Sequence, residues 1–405
     1  MIIRNRINDV LYQSPPLEAL DLAVLTMIGD QKERLKLYTS NAPARWFGSL
    51  RRSTLARAIQ GSNSIEGYNA TLDDAMAVVE DEPIIDERTE AARAIRGYRD
   101  ALTYICQAAK DPYFEFSKQF LKSLHFMMIG FDLSKFPGQW RPGSIFVVDS
   151  ATGETVYTAP EVEMVNPLVE ELVKYLKDSG DEPQIIKAAM AHLNLTMIHP
   201  FKDGNGRMAR ALQTLVIALG GTLHPAFSSI EEWLGANTQE YYQVLALVGQ
   251  GKWSPDRSAQ PWIRFCLKAH YQQAATLIRR NEEYERLFEN IYMIAEKHGL
   301  PERVHIVMFD AALGFRVTNP RHRADAEISE VVASRDLKRL SDIGLFVPFG
   351  EKRGRFYRAG DELRAARAAT RLKRSIDDPY EIAARKERRA KNQIDLDAEP
   401  RLPGV

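Results

Sequence analysis

Cysteine is almost missing from this chain. Cys106 and Cys266 are the only two in 405 residues. They lie far apart and outside any Cys-x-x-Cys spacing. That excludes a cysteine-based zinc site and a disulfide framework, and it fits a reducing cytosol. A surplus of either charge is missing too. Lys plus Arg and Asp plus Glu number 54 each, so no global pull toward nucleic acid or anionic lipid follows. No apolar run approaches the roughly 18 residues that suggest a membrane span, and no membrane partner is expected. The opening MIIRNRINDV meets a charge too soon for a secretory signal, so a cytoplasmic location is expected. What remains is a globular balance, 45% apolar and 27% charged. At roughly 150 residues per domain, the length predicts two or three domains.

Apolar spacing predicts a mainly α protein. A helix is expected over 44–60, ended by Gly61, and a clearer one over 86–109. The second carries a stripe of Ala91, Ile95, Tyr98, Leu102 and Ile105. A third follows over 117–129. The texture then changes. The turn-rich Gly138–Gly143 leads into two β-like runs, Ser144–Val148 and Thr155–Thr158, joined through Ala151-Thr152-Gly153. These read as an isolated hairpin among helices. Further helices are expected at about 161–178, 184–197, 207–219, 238–248, 259–280 and 282–297. Beyond Pro301, short helical patterns at 326–333 and 334–343 stop at Gly344. Leu345–Val347 and Arg355–Tyr357 then form a two-stranded wing around Gly350–Gly354. Residues 361–391 are charged and helix-prone, and disorder is expected from about 392. The organisation expected is an N-terminal helical region (1–110), a core (111–298), a small α+β module (301–360) and a charged tail (361–405).

One segment concentrates chemistry: His199-Pro-Phe-Lys-Asp203-Gly204-Asn205-Gly206-Arg207-Met-Ala-Arg210. A helix runs into a loop, and a second helix starts near Arg207. Gly204-Asn205-Gly206 lets successive N–H groups point inward as an anion nest, and the helix N-terminus adds unpaired donors. Arg207 and Arg210, three apart on the first turn, oppose the helix dipole unless a multiply charged anion such as a di- or triphosphate sits there. Asp203 beside that anion suits a Mg²⁺ ligand. His199 can take a proton near neutral pH.

This segment resembles the Fic (Fic/Doc) signature H-P-F-x-[D/E]-G-N-G-R-x-x-R at every fixed position. The resemblance implies a Fic-type helical core with a β-hairpin flap, and an enzyme that moves AMP from ATP to a protein Tyr, Thr or Ser hydroxyl, releasing pyrophosphate. His199 would be the base and Asp203 would hold Mg²⁺ or Mn²⁺. Gly204, Asn205 and Gly206 would line the anion hole, with Arg207 on the β-phosphate and Arg210 on the γ-phosphate. The hairpin, opening with Gly138-Gln139-Trp140-Arg141, matches the family's flap. Its strand Ile145-Phe146-Val147-Val148 would hold an extended, hydroxyl-bearing target segment by strand addition. Tyr242 is the candidate wall for adenine or ribose. Upstream, Ser62-Asn-Ser-Ile-Glu66-Gly67 resembles the family's inhibitory motif. Glu66 at a helix C-terminus faces the negative end of the dipole. A two-pronged pair with Arg210 would offset this and block the γ-phosphate subsite.

The region 326–357 resembles a winged helix, with Arg335, Lys338 and Arg339 on the recognition-helix equivalent and Lys352, Arg353 and Arg355 on the wing. DNA contact, protein docking and homodimerisation all suit such a module. Self-modification is a further expectation. Two other readings stay open from sequence: removal of AMP from a modified protein at the same site, and a DNA-binding regulator whose core senses nucleotide.

Overall fold

The computed structural model describes residues 10–40, 46–84, 88–148, 152–178, 180–221, 223–351, 354–372 and 375–398. An extended entry through Pro15 and Pro16 leads into α1 (Ala19–Ser40), within the region expected to be helical but with no bounds given by the sequence pattern. Then comes α2 (Phe47–Ile65). It does not stop at Gly61. A Cβ at Gly61 would overlap the Glu231 carbonyl oxygen, and Gly235 approaches the Gly61 backbone from the same side. This glycine serves close packing of two helix backbones, not termination. Next, α3 (Leu72–Val79) opens on a Thr71–Asp74 capping box. The helices α4 (Glu90–Ala108) and α5 (Lys118–Ile129) start on the side-chain caps Thr89 and Ser117. A single 3-10 turn, Leu133–Lys135, precedes the hairpin.

The hairpin strands β1 (Phe146–Val148) and β2 (Thr155–Thr158) pair antiparallel, with a register shift between Val147 and Val148. The hairpin is not isolated. A two-residue strand, β3 (Gly251–Lys252), runs parallel to β2, giving the order β1-β2-β3. Such a short pairing leaves no periodic signal in sequence. Behind the sheet stand α6 (Val162–Lys177), α7 (Gln184–Ile198) and α8 (Asn205–Leu219). Short α9 (Pro225–Ser228) and α10 (Glu231–Ala236) lead to α11 (Thr238–Gly249).

The two helices expected at 259–280 and 282–297 are one 38-residue helix, α12 (Gln260–Lys297). Asn281 sits buried within it and accepts from Trp46 Nε1 at 3.2 Å, so no break occurs there. The first half of α12 contributes Trp262, Ile263 and Phe265 to a core shared with α4–α8. Its second half, with Leu277, Tyr284 and Ile291, belongs to another core. That second core also holds Leu50, Val307, Phe309, Leu337, Phe346 and Leu363.

The C-terminal module consists of α13 (His305–Ala312), α14 (Asn319–Ala326), α15 (Glu330–Asp342) and an antiparallel pair, β4 (Phe346–Phe349) with β5 (Phe356–Ala359). The helix expected at 326–333 lies earlier, because Thr318 caps α14 and Ser329 caps α15. Lys352 and Arg353 lie outside the described residues. Helix α16 (Asp361–Thr370) packs on α12 and α13. Helix α17 (Pro379–Ala398) extends through the start of the stretch expected to be disordered. Its Tyr380 hydroxyl donates to the buried Asp21 of α1 at 3.0 Å. The module also grips the N-terminal helices. Arg52 of α2 reaches Asp310 at 3.2 Å, and Arg358 reaches Asp73 of α3 at 3.0 Å.

Two core histidines are held neutral. His192 pairs through Nδ1 with Gln213 Oε1 at 2.5 Å and through Nε2 with the Tyr241 hydroxyl at 2.9 Å. Gln213 Nε2 lies 3.0 Å from His270 Nε2. Burial pushes His192 down to about 3 and His270 well below its usual value. Unfolded histidine titrates near ~6.5, so below that pH the unfolded chain takes up protons that the native chain refuses. These groups' stabilisation is present above that pH and lost as pH falls, by about 3 kcal/mol per unit for the pair. Urea unfolding at pH 7.5 and 5.5 checks this. Equal midpoints would contradict it.

Candidate active site

The site forms where α7 ends and α8 begins. His199 caps α7 in the left-handed region (φ 51°), its N–H donating to Leu195 O at 3.0 Å. Arg141 fixes this turn. It is buried, and donates from Nε to His199 O at 3.0 Å, from its backbone N–H to Pro200 O at 2.8 Å, and from its other guanidinium nitrogens to the carbonyls of Gly143 and Pro160. The base of the hairpin and the signature loop are thereby one unit. His199 Nδ1 lies 3.2 Å from Thr196 O. A carbonyl only accepts, so Nδ1 carries the proton and Nε2 keeps its lone pair. Burial lowers the imidazole's proton affinity, partly offset by the Thr196 carbonyl and by Glu66. The neutral form, the one a base requires, is favoured.

The loop is closed from inside. Asn205 Oδ1 accepts from Phe201 N, and Nδ2 donates to Phe201 O, both at 2.9 Å. The Asn205 side chain is thus spent on loop geometry. Gly204 sits at φ 78°, a conformation that suits glycine. The first intrahelical bond is Met208 N to Gly204 O at 2.9 Å. The N–H groups of Asn205, Gly206 and Arg207 precede it at the positive end of α8. Beneath the loop, His125 accepts from Gly138 N at Nδ1 (2.9 Å) and contacts Asp203 O through Nε2 (3.0 Å). Its ring stacks on Phe201 at 3.8 Å.

Two buried arginines flank the nest. Arg207 is 0% exposed and none of its guanidinium nitrogens has a hydrogen-bond partner among the described residues. Asp203 Oδ2 is 3.8 Å away, and the Tyr68 ring faces the guanidinium at 5.0 Å. Arg210 donates from Nε to Ser62 Oγ (2.8 Å), and from NH2 to Ser62 O (2.9 Å) and Glu66 Oε1 (2.7 Å). The pairing with Glu66 is therefore single-pronged, not two-pronged, because Ser62 claims Nε and shares NH2. NH1 has no hydrogen-bond partner among the described residues. Glu66 caps α2, and Gly67 follows at φ 81°. The Glu66 carboxylate lies so close to Gly206 that a Cβ there would overlap it. The unfavourable end of α2 is thus offset by Arg210 and by the positive start of α8.

Asp203 accepts from Gly204 N at Oδ1 (2.6 Å) and from Lys135 Nζ at Oδ2 (2.9 Å). Burial would raise its carboxyl, but Lys135, Arg207 and the Gly204 N–H outweigh that and hold it below the usual range. One carboxylate beside a phosphate nest suits Mg²⁺, which takes one or two carboxylates and completes its shell with phosphate oxygens and water. Tyr242 is half-exposed, and its hydroxyl donates to Ile65 O at 3.0 Å, pinning the end of α2. On the flap, Phe146 and Val148 are exposed, Ile145 and Val147 half-buried, and β1 is the outer strand. Sequence reasoning missed Lys135, Tyr68 and His125 as parts of this site. Tyr68 directly follows the Ser62–Gly67 motif, which was its signal. Lys135 and His125 come from segments with no local mark of function.

A helical core carrying a flap hairpin over a helix-start anion nest is a Fic fold, and comparison with known proteins agrees. Residues 115–217 match the Fic/DOC family model. It is 24% identical over 261 residues to "Protein adenylyltransferase Fic" of Nematostella vectensis, covering 62% of this chain and 55% of that one. It is 25% identical over 261 residues to "Protein adenylyltransferase fic-1" of Caenorhabditis elegans, covering 63% and 47%. The chain thus spans about half the length of these curated relatives. Among solved structures, a Fic family protein from Desulfovibrio desulfuricans G20 superposes with a TM-score of 0.56 at 20% identity, covering 86% of this chain and 99% of that one. Fic-1 from C. elegans gives 0.52 at 22% identity, covering 64% and 72%.

Proposed function

We propose that this protein is a self-inhibited adenylyltransferase that moves AMP from ATP to a hydroxyl of a protein. The observation that carries the reading is Arg207, a fully buried guanidinium with no hydrogen-bond partner among the described residues. A buried guanidinium whose hydrogen-bond capacity is unmet, with only the Asp203 carboxylate 3.8 Å away, is costly unless an anion completes it, and the positive start of α8 favours the same kind of ligand. In this reading Gly204, Asn205 and Gly206 offer backbone donors to the α- and β-phosphates, Arg207 holds the β-phosphate, and Arg210 serves the γ-phosphate once freed from Glu66. Nε2 of His199 takes the proton of the incoming hydroxyl. That oxygen bonds to the α-phosphorus as the bond to the pyrophosphate oxygen breaks. Asp203 would hold Mg²⁺ or Mn²⁺, which supplies charge neutralisation between the phosphates when bound. The outer edge of β1 would take the target's extended segment, and Tyr242 would border the base. The two free thiols suit a cytoplasmic setting.

Labelled ATP tests this directly. With Mg²⁺ and a lysate or the chain itself as acceptor, label is expected from α-³²P and not from γ-³²P. Transfer from the γ position would replace AMP transfer with phosphorylation. A second reading, hydrolysis of an AMP-modified protein, is favoured by Glu66, whose carboxylate overlooks the nest and influences His199. Release of free AMP from a pre-modified target would favour it. For the C-terminal module, Arg335 and Lys338 are exposed on α15, while Arg339 is spent on the carbonyls of His298 and Gly299. A gel-shift assay tests DNA contact there.

A further inference from the structure

Lys135 is placed where a site that uses a divalent cation needs an explanation. Its ammonium lies 2.9 Å from Asp203 Oδ2, the one oxygen of that carboxylate not committed to the loop. It donates to Glu90 Oε1 at 2.9 Å and to the Tyr68 hydroxyl at 3.2 Å, and the Tyr68 hydroxyl donates to Glu90 at 3.1 Å. The side chain is 21% exposed, and its turn is held through Ser134. Asp132 caps the turn through Ser134 N at 3.0 Å, and Lys202 of the signature loop donates to Ser134 O at 3.0 Å. This lysine does not drift across a surface; it is delivered to Asp203.

We propose that Lys135 is a built-in placeholder cation on Asp203, competing with the divalent metal for the same oxygen and linking metal loading to the Tyr68 cover over Arg207. The inference rests on the reading of Asp203 as the metal ligand. A dication taking Oδ2 repels an ammonium that stood within hydrogen-bond distance of that atom. Glu90 and Tyr68 are already bonded to the ammonium, so it has somewhere to withdraw to. Without metal, Lys135 keeps the isolated carboxylate neutralised and holds the Tyr68 ring against the empty-handed guanidinium of Arg207. Glu66 restrains Arg210 while Tyr68, two residues on, covers Arg207, so one short segment masks both phosphate-binding arginines by different contacts.

Mn²⁺ binding, followed by electron paramagnetic resonance in the presence of α,β-methylene-ATP, tests this on the full chain carrying Glu66→Gly as the reference. Adding Lys135→Met is expected to tighten Mn²⁺ about tenfold, the scale of losing one charge-assisted competitor. Lys135→Arg is expected to stay within about threefold of the reference. Lys118→Met, which removes a lysine charge bonded to Asn166 and Glu170 and not to Asp203, is expected to leave affinity within about 1.5-fold. Tyr68→Phe alters no charge but removes a fallback partner, and is expected to weaken Mn²⁺ two- to threefold. It also serves if Lys135→Met fails to fold. Unchanged or weaker Mn²⁺ binding by a folded Lys135→Met, or no change in Tyr68→Phe, overturns the proposal. Asp203→Asn separates the two levels. If it binds Mn²⁺ as well as the reference does, the metal reading of Asp203 fails and the placeholder with it. If it loses Mn²⁺ while Lys135→Met is unmoved, the placeholder alone falls.

Discussion

Glu66→Gly is expected to raise AMP incorporation by roughly ten- to a hundredfold. Arg210 is 2% exposed and commits NH2 to Glu66 Oε1 at 2.7 Å. A hydrogen bond between charged groups contributes about 1.5–3 kcal/mol, which corresponds to roughly 10–150-fold in an equilibrium. Removing the carboxylate also clears the face of Gly206, where it now lies in contact. Ser62 continues to orient the guanidinium, so the arginine is released without being lost. Arg210→Ala is not expected to activate, since it removes the block and the phosphate ligand together. The double variant should behave like Arg210→Ala alone, the non-additivity of residues that act as a pair. Initial rates of α-³²P incorporation across ATP concentrations check this. Equal rates for wild type and Glu66→Gly would leave Ser62–Gly67 as an ordinary helix end.

His199→Ala is expected to lower transfer by about 10²–10⁴-fold, the usual cost of losing a general base, while nucleotide affinity stays within a few fold. The backbone at 199 holds the loop, through Leu195 and Arg141. The side chain's only hydrogen bond among the described residues is to Thr196 O on the α7 side. Alanine in the left-handed region carries strain, so a thermal melt should accompany the assay. Measuring in the Glu66→Gly background keeps the lower rate readable. Full activity with an intact fold would take the base assignment away from His199.

The candidate site's loop was readable because its residues are contiguous: glycines, a helix start and two arginines fall within seven residues, Gly204 to Arg210. The contact between Arg210 and Ser62–Glu66 was also legible, since a carboxylate at a helix C-terminus demands a cation. Its single-pronged geometry was not, because Ser62 competes for the same guanidinium from one turn earlier. Gly61 misled for a physical reason: a glycine that ends a helix and one that admits a neighbouring backbone look alike in sequence. Helix α3 carried a readable signal, Thr71 and Asp74 as a capping box, but is only eight residues long. Lys135 gave no signal. Its partners Glu90, Tyr68 and Asp203 lie 45 to 68 residues away, and only folding unites them.

The 38 residues of α12 contain no glycine and no proline beyond Pro261 in the first turn. At about 1.5 Å rise per residue the helix is a strut of roughly 57 Å, rooted at one end in the core shared with α7 and α8 and at the other in the core of the C-terminal module. A rod without a weak point does not act as a swivel. Anything the module grasped would be held at a set span and bearing from His199, as a caliper holds its jaws. A hydroxyl would then be selected by where it lies on its carrier as much as by the residues around it.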